Sequence, residues 1–338
     1  MFSILGNSSK KKRNTQIYRI FFTLTFSLSN LFLAICYLFL NVRTVSSDSS
    51  VSLYDRQLFD QSSSVILNPD TSDPSIVLSS LETMRDLAHD IKFGQDVLEQ
   101  PLCDQLFVLM DGKDYPNTIR SMSSVVLASA LSNNFIAQKK ALEMNIMPKI
   151  VNTLRQENHP VTLLKKLFLL SKSVQSFPLS EAFISKDLGS AILLQLYDFW
   201  SRNSHIDIPS AFQEKLLSRL SIIFENIARS LENVNFSKAS KVIPIEWVFS
   251  TWCSIFQKYL MNNWHLRSIS TLEVLLNTVS TIQSVSESCP EVNFYEWLND
   301  KNLAYKNKLI YQDPDLATEF NLIIKEALSL PWPKKYNI

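Results

Sequence analysis

Glycine is nearly missing from this chain: 338 residues contain four, Gly6, Gly94, Gly112 and Gly189, and no two lie within 15 residues of each other. Loops that cradle phosphate need clustered glycines so that backbone can approach the ligand, which excludes dinucleotide-binding and P-loop folds. Histidine is as scarce. His89, His159, His205 and His265 share no local motif and no ligand spacing, so no metal and no catalytic group is expected of them. A formal net charge of +1 offers nucleic acid no bulk attraction. Alternating β-branched runs bounded by Asn-Gly turns are absent too, which removes sheet from the expected fold. A hydrophobic content of 46% remains, ample for a large core. The reading is therefore an all-α protein without cofactor and without enzymatic chemistry.

The amino terminus has a topogenic pattern. Lys10, Lys11, Lys12, Arg13 and Arg19 precede a run from Ile20 to Leu40 with no charged residue, and Arg43 follows it. At ~1.5 Å per residue this run spans about 30 Å, enough to cross a bilayer. The upstream basic cluster keeps residues 1–19 cytosolic and sends the rest across. Residues 20–42 read equally as a retained signal anchor or a cleaved signal peptide, because the block Leu31 to Leu40 also has the length of a signal-peptide apolar region. Residues 43–73, rich in Ser and Asp, read as a flexible linker.

Cysteine use fits either side of the membrane. Cys36 lies in the apolar run, and Cys103, Cys253 and Cys289 match no zinc spacing and no CxxC pair. Cys253 and Cys289 can pair in an oxidising lumen, but Cys253 sits among Trp252 and Ile255, which favours a buried free thiol. The sequon Asn235-Phe236-Ser237 lies in a polar stretch and makes Asn235 the expected N-glycosylation site of a lumenal chain.

Beyond residue 73 the pattern is helical and repetitive. Pro74, Pro116, Pro160 and Pro209 each open a helix-like run, 42, 44 and 49 residues apart. Leu98, Leu102, Leu106 and Met110 form an i, i+4 stripe. It recurs as Leu142, Ile146, Ile150 and Leu154, and again as Ile184, Leu188, Ile192 and Leu196. Each unit reads as a long Pro-started helix, a short helix and a medium helix carrying the stripe; in the second these are PNTIRSMSSVVLASALSNN, FIAQKKALEMN and IMPKIVNTL. Asp73 is a fair N-cap for the first, whereas Tyr115-Pro116 and His159-Pro160 lack a good capping side chain. Three helices in some 44 residues is the armadillo pattern. The expected architecture is an armadillo-like α-solenoid of about four three-helix repeats over 74–243. Residues 244–338 then supply a divergent last repeat and helical cap. Trp247, Trp252 and Trp264 read as packing core there, and Asn133 and Asn134 as a turn after a helix end.

Within this frame LETMRDLAHDIKFGQDVLEQ and LCDQLFVLM resemble the first repeat of the armadillo-type nucleotide exchange factors for heat-shock chaperones. In that family an acidic helix ends near "EDID" and is followed by "GGLxPLLxLL". The next unit resembles the family's "IRxxAAWVLGTAxQNNPKAQ" through Ile119, Arg120, Val126, Leu127, Ala130, Asn133, Asn134, Ala137 and Gln138. The resemblance is strong over 78–155, weaker to about 230 and slight beyond. With a signal or anchor in front it narrows to the SIL-type branch of the endoplasmic reticulum lumen, which acts on BiP. Gln100-Pro101 and Asn145-Ile146 replace the glycines of "GGL", so the turns there must be built differently. The ending WPKKYNI has no KDEL-like tetrapeptide, so retention would rest on the anchor or on the partner.

The resemblance implies a monomeric chain that binds the nucleotide-binding domain of BiP one to one and promotes ADP release, supporting translocation and folding. It contacts membrane only through its N-terminal segment. In armadillo units the Pro-started helix lines the concave face. Ser129, Ser173 and Asn226 fall where that helix presents polar residues inward, and Arg120, Lys165, Lys172 and Glu225 lie on nearby faces; these seven are the expected partner contacts. The alternative is a membrane-anchored armadillo scaffold without exchange activity.

Overall fold

The structure is a computed structural model that describes residues 52–185, 189–202, 210–232, 245–263, 269–286, 289 and 292–306, together with Leu322 and Lys325. The basic N-terminus, the apolar run 20–42 and the sequon at Asn235 lie outside the described residues, as do Leu188, His205, Trp264 and His265. Among the described residues there is no strand, and no helix is long and apolar enough to cross a membrane. The chain divides into two compact units, Met1–Arg56 and Gln57–Ile338, and the solenoid belongs to the second.

Part of the expected flexible linker is ordered helix. Helix α1 runs Leu53–Leu67, and a single 3-10 turn covers Pro69–Thr71. Serine-rich sequence hid it, yet Phe59 and Ile66 are buried and the Phe59 ring stacks on Phe93 at 5.0 Å between centroids. Two aromatic rings and an isoleucine removed from water outweigh a weak local propensity.

Three units follow with the expected three helices each. They are α2 (Pro74–Leu87), α3 (Ile91–Val97) and α4 (Leu102–Asp111); α5 (Asn117–Leu131), α6 (Phe135–Glu143) and α7 (Met147–Arg155); then α8 (Pro160–Ser173), α9 (Phe177–Ser185) and α10 (Gly189–Arg202). The fourth unit is described in part. Among the described residues it has two helices, the 23-residue α11 (Ser210–Glu232) and the 19-residue α12 (Ile245–Asn263), before α13 (Ile269–Gln283) and α14 (Val292–Lys306). Helices α2, α5, α8, α11 and α13 pack side by side in that order, each on the next. That ladder makes the chain an armadillo-like α-solenoid.

Local chemistry sets the unit boundaries. Asp73 accepts from the Ser75 amide with Pro74 at the first helical position, as expected. His159 is also a cap, contrary to expectation: its Nδ1 accepts from the Thr162 amide at 3.4 Å. Asn145 takes over the role of the missing glycine. It sits at φ 50°, with its amide bonded to Leu142 O and the Ile146 amide to Ala141 O, a Schellman turn built on asparagine. Asn133 makes the other left-handed turn at φ 55°.

Small residues let the ladder close up. In α5 Ser123 and Ser124 donate back to the carbonyls of Ile119 and Arg120, so buried hydroxyls beside Ala128 and Ala130 are satisfied within their own helix. Gly94 serves a similar end: a Cβ there would lie 2.6 Å from Asn134 Nδ2. Among the described residues the leucine rows are core except for Leu142, which is exposed on α6. Trp252 is buried against Phe224 and Phe256, while Trp247 faces solvent.

The cysteines correct the free-thiol expectation. Cys253 and Cys289 form a disulfide across 36 residues, with Cα atoms 5.9 Å apart, tying α12 to the segment before α14. Cys103 remains a free thiol, buried, and burial pushes its pKa up to about 11, so it is inert. Closing a loop of this length stabilises by roughly 3–4 kcal/mol. Reduction should accordingly lower the melting temperature of the wild type by roughly 7 °C, and leave a Cys253→Ser/Cys289→Ser variant unmoved. Calorimetry with and without dithiothreitol reads this; equal sensitivity in both proteins would contradict the cross-link.

Candidate protein-binding groove

The seven expected contacts do not share one surface. Arg120 is 7% exposed and belongs to a buried ion cluster. Its guanidinium donates to Glu157 Oε2 at 2.6 Å, to Asn117 Oδ1 at 3.0 Å and to Met110 O at 3.4 Å. Glu157 is fully buried and also meets Lys166 Nζ at 2.8 Å, while its Oε1 accepts the His159 amide at 2.9 Å. Lys166, 1% exposed, donates further to Thr153 O at 3.0 Å and lies 3.3 Å from Asp111. Every partner is satisfied, so these residues join three units and leave nothing for a ligand.

Ser129 and Ser173 are likewise interior. Ser173 donates to Leu169 O at 2.9 Å, and Ser129 lies 3.5 Å from His89 Nε2. Asn226 donates to Ser171 O at 2.9 Å, tying α11 to α8, and Glu225 pairs with Arg229 at 2.7 Å along one helix. Both are half-buried. Asn226 borders a hollow of about 480 Å³ that Asn133, Phe135 and Gln175 also line.

Lys165 and Lys172 are the expected residues that do lie on an open face. Lys165 is exposed in a groove of about 760 Å³ where α8, α11 and α13 meet. Val161, Leu164, Arg219 and Ile222 form much of its lining, Lys215 and Glu214 rise from α11, and Ser270 and Thr271 close the third side. Beside it the Phe168 ring carries two cations, Arg219 at 5.1 Å and Lys172 at 5.5 Å from its centroid. Burial lowers the pKa of Arg219 below the ordinary guanidinium value, yet a guanidinium stays charged in a protein.

Lys215, Arg219 and Phe168 were missed as contacts. Their signal was present as a helical face: Val161, Lys165, Phe168 and Lys172 on α8, and Lys215, Arg219 and Ile222 on α11, recur at three- and four-residue steps. Lys166 is adjacent to Lys165 in sequence and some 100° round the helix, which places one in the core and the other in the groove.

No family model matches the chain. Among solved structures, a designed armadillo repeat protein in complex with the peptide (KR)4 aligns at 13% identity with TM-score 0.49, covering 79% of this chain and 99% of its own. An engineered protein aligns at 13% identity with TM-score 0.48, covering 79% and 97%. A computationally designed armadillo repeat protein for modular peptide recognition aligns at 12% identity with TM-score 0.47, covering 80% and 99%. The armadillo-like fold stands on the helix ladder itself.

The two classes of cation separate by substitution. Arg120→Glu places a second carboxylate against buried Glu157 and should lower the melting temperature by roughly 10 °C. Lys165→Glu should leave it within about 1 °C. Thermal unfolding followed by circular dichroism checks both, and a large loss in Lys165→Glu would contradict the assignment.

Proposed function

We propose that this chain is a nucleotide exchange factor that promotes ADP release from a BiP-type chaperone in the lumen of the endoplasmic reticulum. The observation that carries the reading is the run of family-like sequence over 78–155, which falls on consecutive units of an armadillo-like solenoid. Two further features support it. The disulfide Cys253–Cys289 suits an oxidising compartment. The groove of α8, α11 and α13 presents exposed side chains of several helices to one side, as a protein partner needs.

Such a factor needs no reacting group. Its solenoid holds one lobe of the chaperone's nucleotide-binding domain in an opened position, so nucleotide binds the complex more weakly. Nucleotide in turn weakens the complex by the same factor. A tenfold effect on ADP affinity corresponds to about 1.4 kcal/mol, well within what a modest interface supplies. The N-terminal apolar segment, retained or cleaved, delivers the solenoid to the lumen, and Asn235 is a glycan acceptor there.

Stopped-flow release of fluorescent ADP from purified BiP tests the proposal. The release rate should rise with added protein, with no ATP hydrolysis by the protein alone. Unchanged release in the presence of folded, helical protein would refute exchange activity and leave an anchored scaffold.

A further inference from the structure

The groove carries a charge imbalance. Lys165 and Lys215 are exposed on neighbouring helices, Arg219 is half-buried one turn from Lys215, and Lys172 shares the Phe168 ring with Arg219. Among the described residues none of these four cations has a carboxylate within ion-pair distance. On the outer helices, by contrast, Lys139 is matched by Glu143, Lys140 by Glu99 and Lys149 by Asp104. Among the described residues one carboxylate, Glu214, lines the groove. The excess is local, because the whole chain is nearly neutral at +1.

Apolar groups share the same recess. Val161 is 54% exposed there, and Leu164 and Ile222 line it beside the cations. A phosphate backbone would use the cations and leave these groups without partners, and the Phe168 face, where a base could stack, is already occupied by Lys172 and Arg219. A protein segment that alternates carboxylates with an apolar side chain satisfies both sets together.

We infer that the groove binds an acidic segment of a partner protein, an apolar side chain packing on Val161 and Ile222 while flanking carboxylates pair with Lys165, Lys215 and Arg219. The inference rests on the proposed use of this face for a protein partner, and it names the chemistry of that partner's surface. Arg219 is the anchor, since its guanidinium is held in place by Phe168 and loses little freedom on pairing.

Fluorescence anisotropy of the full-length chain with a labelled short peptide alternating Glu and Leu tests it. A Lys-Leu peptide and a single-stranded oligonucleotide are the comparison probes. The acidic peptide should bind saturably, the Lys-Leu peptide should not, and the oligonucleotide should bind more weakly. Lys165→Glu/Lys215→Glu should weaken the acidic peptide by about tenfold or more at unchanged melting temperature, whereas Lys139→Glu on the outer face should not. No saturable binding, equal affinity in the groove variant, or oligonucleotide binding as tight as the peptide would overturn the inference. The ADP-release assay separates it from the exchange proposal. Wild-type acceleration that survives the groove variant sinks the acidic-segment inference alone. Reversal-sensitive peptide binding without any acceleration sinks the exchange proposal alone.

Discussion

Glu157 is fully buried, and two cations from different units converge on it: Arg120 of α5 at 2.6 Å and Lys166 of α8 at 2.8 Å. Asp111, at the end of α4, completes the cluster through Lys166. A solenoid of short helices has no single core, and each unit buries its apolar face only if its neighbours stack in register. Leucine against leucine tolerates sliding, whereas a buried carboxylate with two cations at hydrogen-bond distance has one arrangement. Removing one partner strands charge in the interior, at a cost of about 3–5 kcal/mol. The groove formed by α8 and α11 inherits its geometry from this joint, because Lys166 and Lys165 ride on the same turn of α8.

The residues that carry the family resemblance turn out to build this framework. Ile119, Val126, Leu127, Ala130 and Ala137 are core, and Arg120 is in the ion cluster. Asn133 makes a left-handed turn. Asn134 caps α6 by accepting the Ala137 amide, and it donates to Ile91 O in the preceding unit. Gln138 closes the same corner through Leu131 O. A motif of this kind specifies how one unit joins the next. The groove proposed for a partner lies elsewhere, on α8, α11 and α13, where the resemblance is weaker or slight.

Much of the architecture was legible because it follows from periodicity. Prolines marked the ladder helices and leucine rows marked the core, and the first three units have the expected helices. The departures have physical causes. Helix α1 was hidden by serines, because its stability comes from Phe59 and Ile66 packing on distant residues. In the fourth unit the described residues give two long helices, α11 and α12, on either side of a stretch outside the described residues. The disulfide depended on α12 meeting the segment before α14 across 36 residues, which no local spacing encodes. Site residues were the least legible. Polar residues on a ladder helix divide into inward ties and open contacts according to a rotation of about 100° per residue, and the neighbouring helix decides which is which. All seven expected contacts were read onto or near the concave face, yet Arg120, Ser129 and Ser173 are interior, whereas Lys165 is exposed and Lys172 half-buried.

The claim that a buried ion cluster registers the units, and through them the groove, is tested most directly by amide hydrogen exchange. The comparison is wild type against Glu157→Gln, which keeps the shape and removes the charge. Protection should fall together in α4, α5 and α8, the three helices that contribute charged residues to the cluster. Loss confined to the loop around Glu157, with α4, α5 and α8 as protected as before, would contradict the account.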